Sequence, residues 1–135
     1  MQKSIACIGV GNMGAAILRG MIQSKKFLPA QITVFDPDTT KCAPFAALGC
    51  NVAATAAEAV SIADSILLAV KPQMIDAVME DFKAICRNKL FVSIAAGVTV
   101  SRIETALPGA SVIRVMPNTP LQVGMGVSAL CRRSG

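Results

Sequence analysis

Ile5-Ala6-Cys7-Ile8-Gly9-Val10-Gly11-Asn12-Met13-Gly14 is an apolar run that breaks into a G-x-G-x-x-G turn. Each glycine has its own task where a strand turns into a helix beside a pyrophosphate. Gly9 permits the tight bend, Gly11 lets the backbone approach the phosphates with no Cβ in the way, and Gly14 lets the helix lie close to the strand. The pattern predicts a strand over residues 4–10 and a helix over 12–24 whose leading N–H groups aim at the phosphates.

Six-residue glycine patterns recur by chance, so the surrounding sequence decides. A second apolar segment, Ile32-Thr33-Val34-Phe35, ends in Asp36, which lies 22 positions beyond Gly14. That offset suits an acid that hydrogen-bonds a ribose 2′-hydroxyl. The competing role for Asp36 is a cap on the Pro37 turn, pointing away from any ligand. For the glycine turn, the alternative is a strand-to-helix bend that binds no nucleotide.

Beyond Asp36 the alternation of strand and helix continues. A helix is expected over 39–48, ended by Gly49, with Pro44 either opening a later helix or kinking this one. A short strand over 51–53 and an Ala-rich helix over 56–63 precede Ser65-Ile66-Leu67-Leu68-Ala69-Val70, a central strand stopped by Lys71-Pro72. Met74, Ile75, Val78, Met79, Phe82 and Ile85 fall at three- and four-residue spacings, which predicts a helix over 73–85 with its methionines in the core. A fifth strand over 90–94 runs into Ala95-Ala96-Gly97. Ser101 is expected to cap a helix over 102–106 with Glu104 in its first turn. A sixth strand over 111–115, the loop Met116-Pro117-Asn118-Thr119-Pro120 and a last strand over 127–130 complete the series. The sum is an α/β fold, a Rossmann-type, doubly wound, mostly parallel sheet with flanking helices.

Composition agrees and removes other classes. Of 135 residues, 53% are hydrophobic and 16% charged, which suits a sheet buried on both faces. No apolar run reaches the ~18 residues of a membrane span, and residues 1–4 lead straight into a strand instead of a secretory signal, so a cytoplasmic protein is expected. The five cysteines lack C-x-x-C spacing and there is no histidine, so no metal site is expected and the thiols read as reduced and buried. Absence of histidine also removes the usual general base. Hydride transfer to a preformed imine or carbonyl meets that condition. The net charge of +5 is scattered without a stripe, and no Trp or Tyr is present, so nucleic acid is not an expected partner.

In an open parallel sheet, ligands bind beyond the carboxyl ends of the strands where strand order reverses. The glycine turn, Asp36-Pro37, Ala69-Val70-Lys71-Pro72 and Ala95-Ala96-Gly97 are expected to meet at that edge. Asn118 adds an amide that both donates and accepts. Together, Gly9 to Gly14, Ala69 to Pro72, Ser93-Ile94-Ala95-Ala96-Gly97-Val98 and Arg114-Val115-Met116-Pro117-Asn118-Thr119-Pro120 closely resemble pyrroline-5-carboxylate reductases over essentially the whole chain.

The resemblance implies an oxidoreductase of amino-acid biosynthesis that uses NADPH or NADH to reduce 1-pyrroline-5-carboxylate to L-proline, the last step of proline biosynthesis. It implies cofactor contacts at Gly9, Gly11, Asn12, Met13, Gly14, Asp36, Ala69, Val70, Lys71, Pro72, Ala95, Ala96 and Gly97, with Asn118 as the catalytic, substrate-side candidate. Lys71 reads as a cofactor-edge residue, because Pro72 holds its backbone extended. Acting as a Schiff-base or proton-donating lysine is the lesser reading. Asp36 stands where NADPH-preferring members place a small or hydroxyl residue, so use of NADH is expected. The family also carries a helical second domain that forms a homo-oligomer and completes the substrate pocket. On that basis residues 1–131 read as the NAD(P)-binding domain and 132–135 as the start of a linker, and the chain alone is expected to bind cofactor but turn over weakly. Two alternatives are the cofactor domain of a 3-hydroxyacid or 6-phosphogluconate-type dehydrogenase, against which the 116–120 loop argues, and a non-catalytic nucleotide-binding module.

Overall fold

The computed structural model describes residues 4–25, 27–95 and 97–115. Ala96, Asn118 with its proline-bracketed loop, the expected strand over 127–130 and the linker at 132–135 lie outside the described residues. Among the described residues six strands form one sheet: β1 (Ile5–Ile8), β2 (Ile32–Phe35), β3 (Asn51–Val52), β4 (Ser65–Leu68), β5 (Leu90–Ser93) and β6 (Ser111–Arg114). Every neighbouring pair is parallel, and the order is β3-β2-β1-β4-β5-β6. The expected mostly parallel, doubly wound sheet is thus wholly parallel among the described residues. Order reverses at β1, which has β2 on one side and β4 on the other.

The alternation of side chains along each strand splits the core into two layers. Ile5, Cys7, Ile32, Val34, Leu67 and Val92 face α1 (Asn12–Gln23) and α2 (Thr39–Ala47), meeting Ile17, Leu18, Met21 and Phe45. Ala6, Ile8, Ile66, Leu68 and Phe91 face α3 (Ala56–Ser61), α4 (Ile75–Phe82) and α5 (Val100–Ala106), meeting Val60, Met79, Phe82 and Ile103. Phe82 and Phe91 stack with ring centroids 5.5 Å apart. On the other face Arg19 sets its guanidinium 5.4 Å from the Phe45 ring centroid, a cation–π contact. With helices on both sides, β1 and β4 are apolar and buried along their whole length, apart from the buried Ser65.

Several local expectations are corrected. Pro44 lies inside α2, at an exposed position, and does not open a later helix. The predicted 73–85 helix is α4 bracketed by 3-10 turns at Pro72–Met74 and Lys83–Ile85. Its ends therefore rotate out of the apolar register: Met79 is buried, but Met74 is 46% and Ile85 38% exposed, so Met74 is not a core residue. Thr99, not Ser101, caps α5 by accepting the Arg102 N–H at 3.1 Å. The helix starts at Val100, and Glu104 falls outside its first turn. The 56–63 prediction ends earlier, at Ser61, and Thr55 caps that helix by accepting the Glu58 N–H.

Candidate dinucleotide site

Register is what assembles the site. Ile8 is level with Phe35 and with Leu68, Leu68 with Ser93, and Ser93 with Arg114. The residues that follow these strands, beginning at Gly9, Asp36, Ala69 and Ile94, therefore emerge along one edge at the point where strand order reverses. Of the four segments expected there, the structure brings all together except Ala96, which is not described.

The glycine turn is held by its neighbours. Gly9 has φ of +98°, and a Cβ there would stand 2.8 Å from the Ala69 carbonyl carbon. Its N–H donates to Phe35 O at 2.8 Å, and Ala69 N–H donates to Ile8 O at 2.9 Å, so the turn is stitched to both flanking strands. Gly14 is packed as tightly, since an added Cβ would come within 2.6 Å of Gly9 O. Gly11 is the opposite case. A Cβ there would meet nothing within 4 Å.

Gly11 is also the N-cap of α1, so it offers no side chain to the helix start. The first intrahelical bond is Ala15 N–H to Gly11 O, at 2.8 Å. The amides of Gly11, Asn12, Met13 and Gly14 thus have no acceptor within the helix, and no acid stands in the first turn. Asn12 and Met13 are exposed at this opening. An open space over a glycine, donors without acceptors and a positive helix dipole together fit a pyrophosphate.

Of the two roles weighed for Asp36, the structure shows the turn cap, and it ties the same carboxylate to the glycine turn. Its Oδ2 accepts the Val10 N–H at 2.8 Å, which binds the carboxylate to the glycine turn. Its Oδ1 accepts the Asp38 N–H at 2.9 Å, closing the turn through Pro37. Asp38 in turn caps α2, its Oδ1 accepting the Thr40 N–H at 3.1 Å and the Thr40 hydroxyl at 2.6 Å. Those bonds, the hydroxyl's above all, hold the Asp38 carboxyl below its ordinary range. Sequence reasoning missed the Val10–Asp36 link, because it joins a backbone amide to a side chain 26 residues away.

Beneath this corner lie two buried thiols. Burial pushes the Cys7 thiol well up, with the nearby Cys42 and Asp36 adding to the effect. Cys42 is raised by burial first and by Asp36 second. These are inert packing groups rather than nucleophiles.

On the other side of the reversal, Ala69 and Val70 are half-buried while Lys71 and Pro72 are exposed. Lys71 has φ of −63° and ψ of 145°, the extended backbone its following proline demands, and its carbonyl accepts the Met74 N–H. After β5, Ala95 donates its N–H to the buried Ser93 hydroxyl, and Gly97 takes φ of +74° on the exposed surface. Among the described residues no cluster of His, Cys, Asp and Glu has the makings of a metal site, and no helix is long and apolar enough to cross a membrane.

Comparison with known proteins gives a consistent picture. Residues 4–97 match the family described as NADP oxidoreductase, coenzyme F420-dependent. The pyrroline-5-carboxylate reductase of Escherichia coli (strain K12) is 44% identical over 133 residues, which cover 96% of this chain and 49% of that protein. The solved pyrroline-5-carboxylate reductase of Coxiella burnetii superposes with a TM-score of 0.81 at 35% identity, covering 91% of this chain and 47% of that one. That of Plasmodium falciparum, solved with NADP bound, gives 0.77 at 25% identity, over 91% of this chain and 45% of that one. The chain spans about half the length of the curated relatives it matches.

Proposed function

From the premise that this chain belongs to the family of NADP oxidoreductases described as coenzyme F420-dependent, we propose that it is the dinucleotide-binding half of a pyrroline-5-carboxylate reductase. The observation that carries the proposal is the open, uncapped helix start at Gly11, set at the strand reversal between a glycine turn and Ala69. Relatives that share this stretch are reductases of that name.

On this reading the amides of Gly11 to Gly14 hold the pyrophosphate, and Asp36 faces the adenosine ribose. Ala69 to Pro72 and Ala95 to Gly97 flank the nicotinamide end. When bound, the reduced nicotinamide supplies a hydride to the carbon of the substrate C=N bond, and the ring nitrogen takes a proton as the imine becomes an amine. The chain's own contribution is alignment: a rigid turn and small residues that hold the reacting ring at one distance. Asn118 is the substrate-side group of this proposal. Residues 1–131 form the cofactor domain, and a helical half in the complete enzyme pairs the subunits and closes the substrate pocket.

The test is cofactor oxidation by the complete enzyme, followed at 340 nm. 1-Pyrroline-5-carboxylate should drive it, and the reverse reaction with 3-hydroxyacids or 6-phosphogluconate should be absent. Turnover of those hydroxyacids in place of the imine would overturn the proposal.

A further inference from the structure

We infer that the corner after β2 selects the dinucleotide that lacks a 2′-phosphate, so this chain takes NADH in preference to NADPH. The inference rests on the dinucleotide reading of the site and adds the class of cofactor to it. Two independent features carry it.

The first is that the Asp36 carboxylate is held in place. One oxygen is bound to the glycine turn through Val10 N–H and the other to Asp38 N–H. Swinging away to admit a phosphate would break both bonds and release the turn that receives the pyrophosphate. Each oxygen keeps a second lone pair, enough to accept from a ribose hydroxyl. A phosphate ester at the same place brings about −1.5 to −2 charges against a fixed anion.

The second feature is that the neighbouring anion seat is already taken. The N-terminus of α2 is where a 2′-phosphate beside Asp36 would look for donors. There the Asp38 carboxylate occupies the Thr40 N–H and the Thr40 hydroxyl. The cation near that seat, Lys41, lies close enough for its charge to act on Asp38. A 2′-phosphate therefore meets two carboxylates and one cation already partly offset, whereas a 2′-hydroxyl meets an acceptor.

The experiment is a fluorescence titration of the full chain with NADH and with NADPH at one ionic strength, repeated on Asp36→Asn and Asp38→Asn. Asparagine at 38 keeps the oxygen that caps α2, and at 36 it keeps one for the Val10 amide while giving up the bond from Asp38 N–H; both remove the charge. NADH is expected to bind about tenfold or more tightly than NADPH. Each variant should narrow that ratio several-fold by gaining NADPH affinity more than it loses NADH affinity. Tighter NADPH binding by the unaltered chain, or a ratio that neither variant moves, overturns the inference and leaves the dinucleotide reading standing. Folded protein that binds neither cofactor overturns both.

Discussion

Alanine placed at Gly14 and at Gly20 should move stability in opposite directions, although both glycines lie in α1. Intrinsic helix propensity favours the change at either position by up to ~1 kcal/mol. At Gly20 nothing lies within 4 Å of the new methyl, so that gain is expected nearly in full, about 0.5–1 kcal/mol. At Gly14 the methyl would stand 2.6 Å from Gly9 O and 3.2 Å from the Ala69 Cβ. Carbon-to-oxygen contacts ordinarily close no further than about 3.3 Å, so the shortfall is roughly 0.7 Å. Gly9 O cannot retreat cheaply, since the Gly9 N–H is bonded to Phe35 O and the residue is wedged against Ala69. Overpacking of this kind costs about 1–3 kcal/mol, which outweighs the propensity gain. The two variants should then differ by roughly 2 kcal/mol, or several degrees in Tm for a domain of this size. Urea unfolding followed by far-ultraviolet circular dichroism measures the difference. Gly14→Ala as stable as Gly20→Ala would refute the close approach of α1 to the turn.

Gly11→Ala separates binding from folding: it should cost less than about 1 kcal/mol of stability, its φ of −80° being open to any residue, yet weaken dinucleotide binding tenfold or more by titration. Thr99→Ala should lower the unfolding free energy by about 1 kcal/mol and Ser101→Ala by less than about 0.5, which chemical denaturation of the two variants will rank. Burial raises the thiols of Cys7, Cys42 and Cys50 above their ordinary 9.0. The unfolded chain therefore sheds thiol protons first as pH rises. The stability that these groups contribute is whole below pH 9 and declines above it, at up to ~1.4 kcal/mol per pH unit for Cys7. Urea midpoints at pH 8 and pH 10 should show the fall, and a Cys7→Ala variant should show a shallower one; equal slopes would discount the thiol.

Much of this is legible in the sequence, and the reasons are physical. Glycine spacing, continuous apolar runs and an acid after the second strand are strong local signals, and each described strand lies within a residue or two of its expected place. What failed was finer. Thr99 and Ser101 are both good caps, and only the backbone decides which one sits at the helix start. Met74 obeys helical periodicity but stands in a 3-10 turn, where three residues per turn carry it away from the core. Asp36 was read as either a ribose ligand or a turn cap. The structure shows the carboxylate closing the turn with one oxygen while bracing Val10 with the other, a division no single-residue pattern encodes.

The central place of β1 also governs when the molecule can come into being. Ile5 pairs with Ile32 on one side and with Ser65 on the other, so the first strand made is completed by the fourth. A nascent chain that has finished β2 must add roughly thirty more residues, a few seconds of synthesis, before the second edge of β1 is covered. During that interval a wholly apolar strand presents an open row of amides and carbonyls, the kind of edge that recruits other chains. The glycine turn cannot be born early either, because Ala69 is one of its walls. Loss of β4 is therefore expected to be felt first as aggregation during synthesis, before any loss of affinity could be measured.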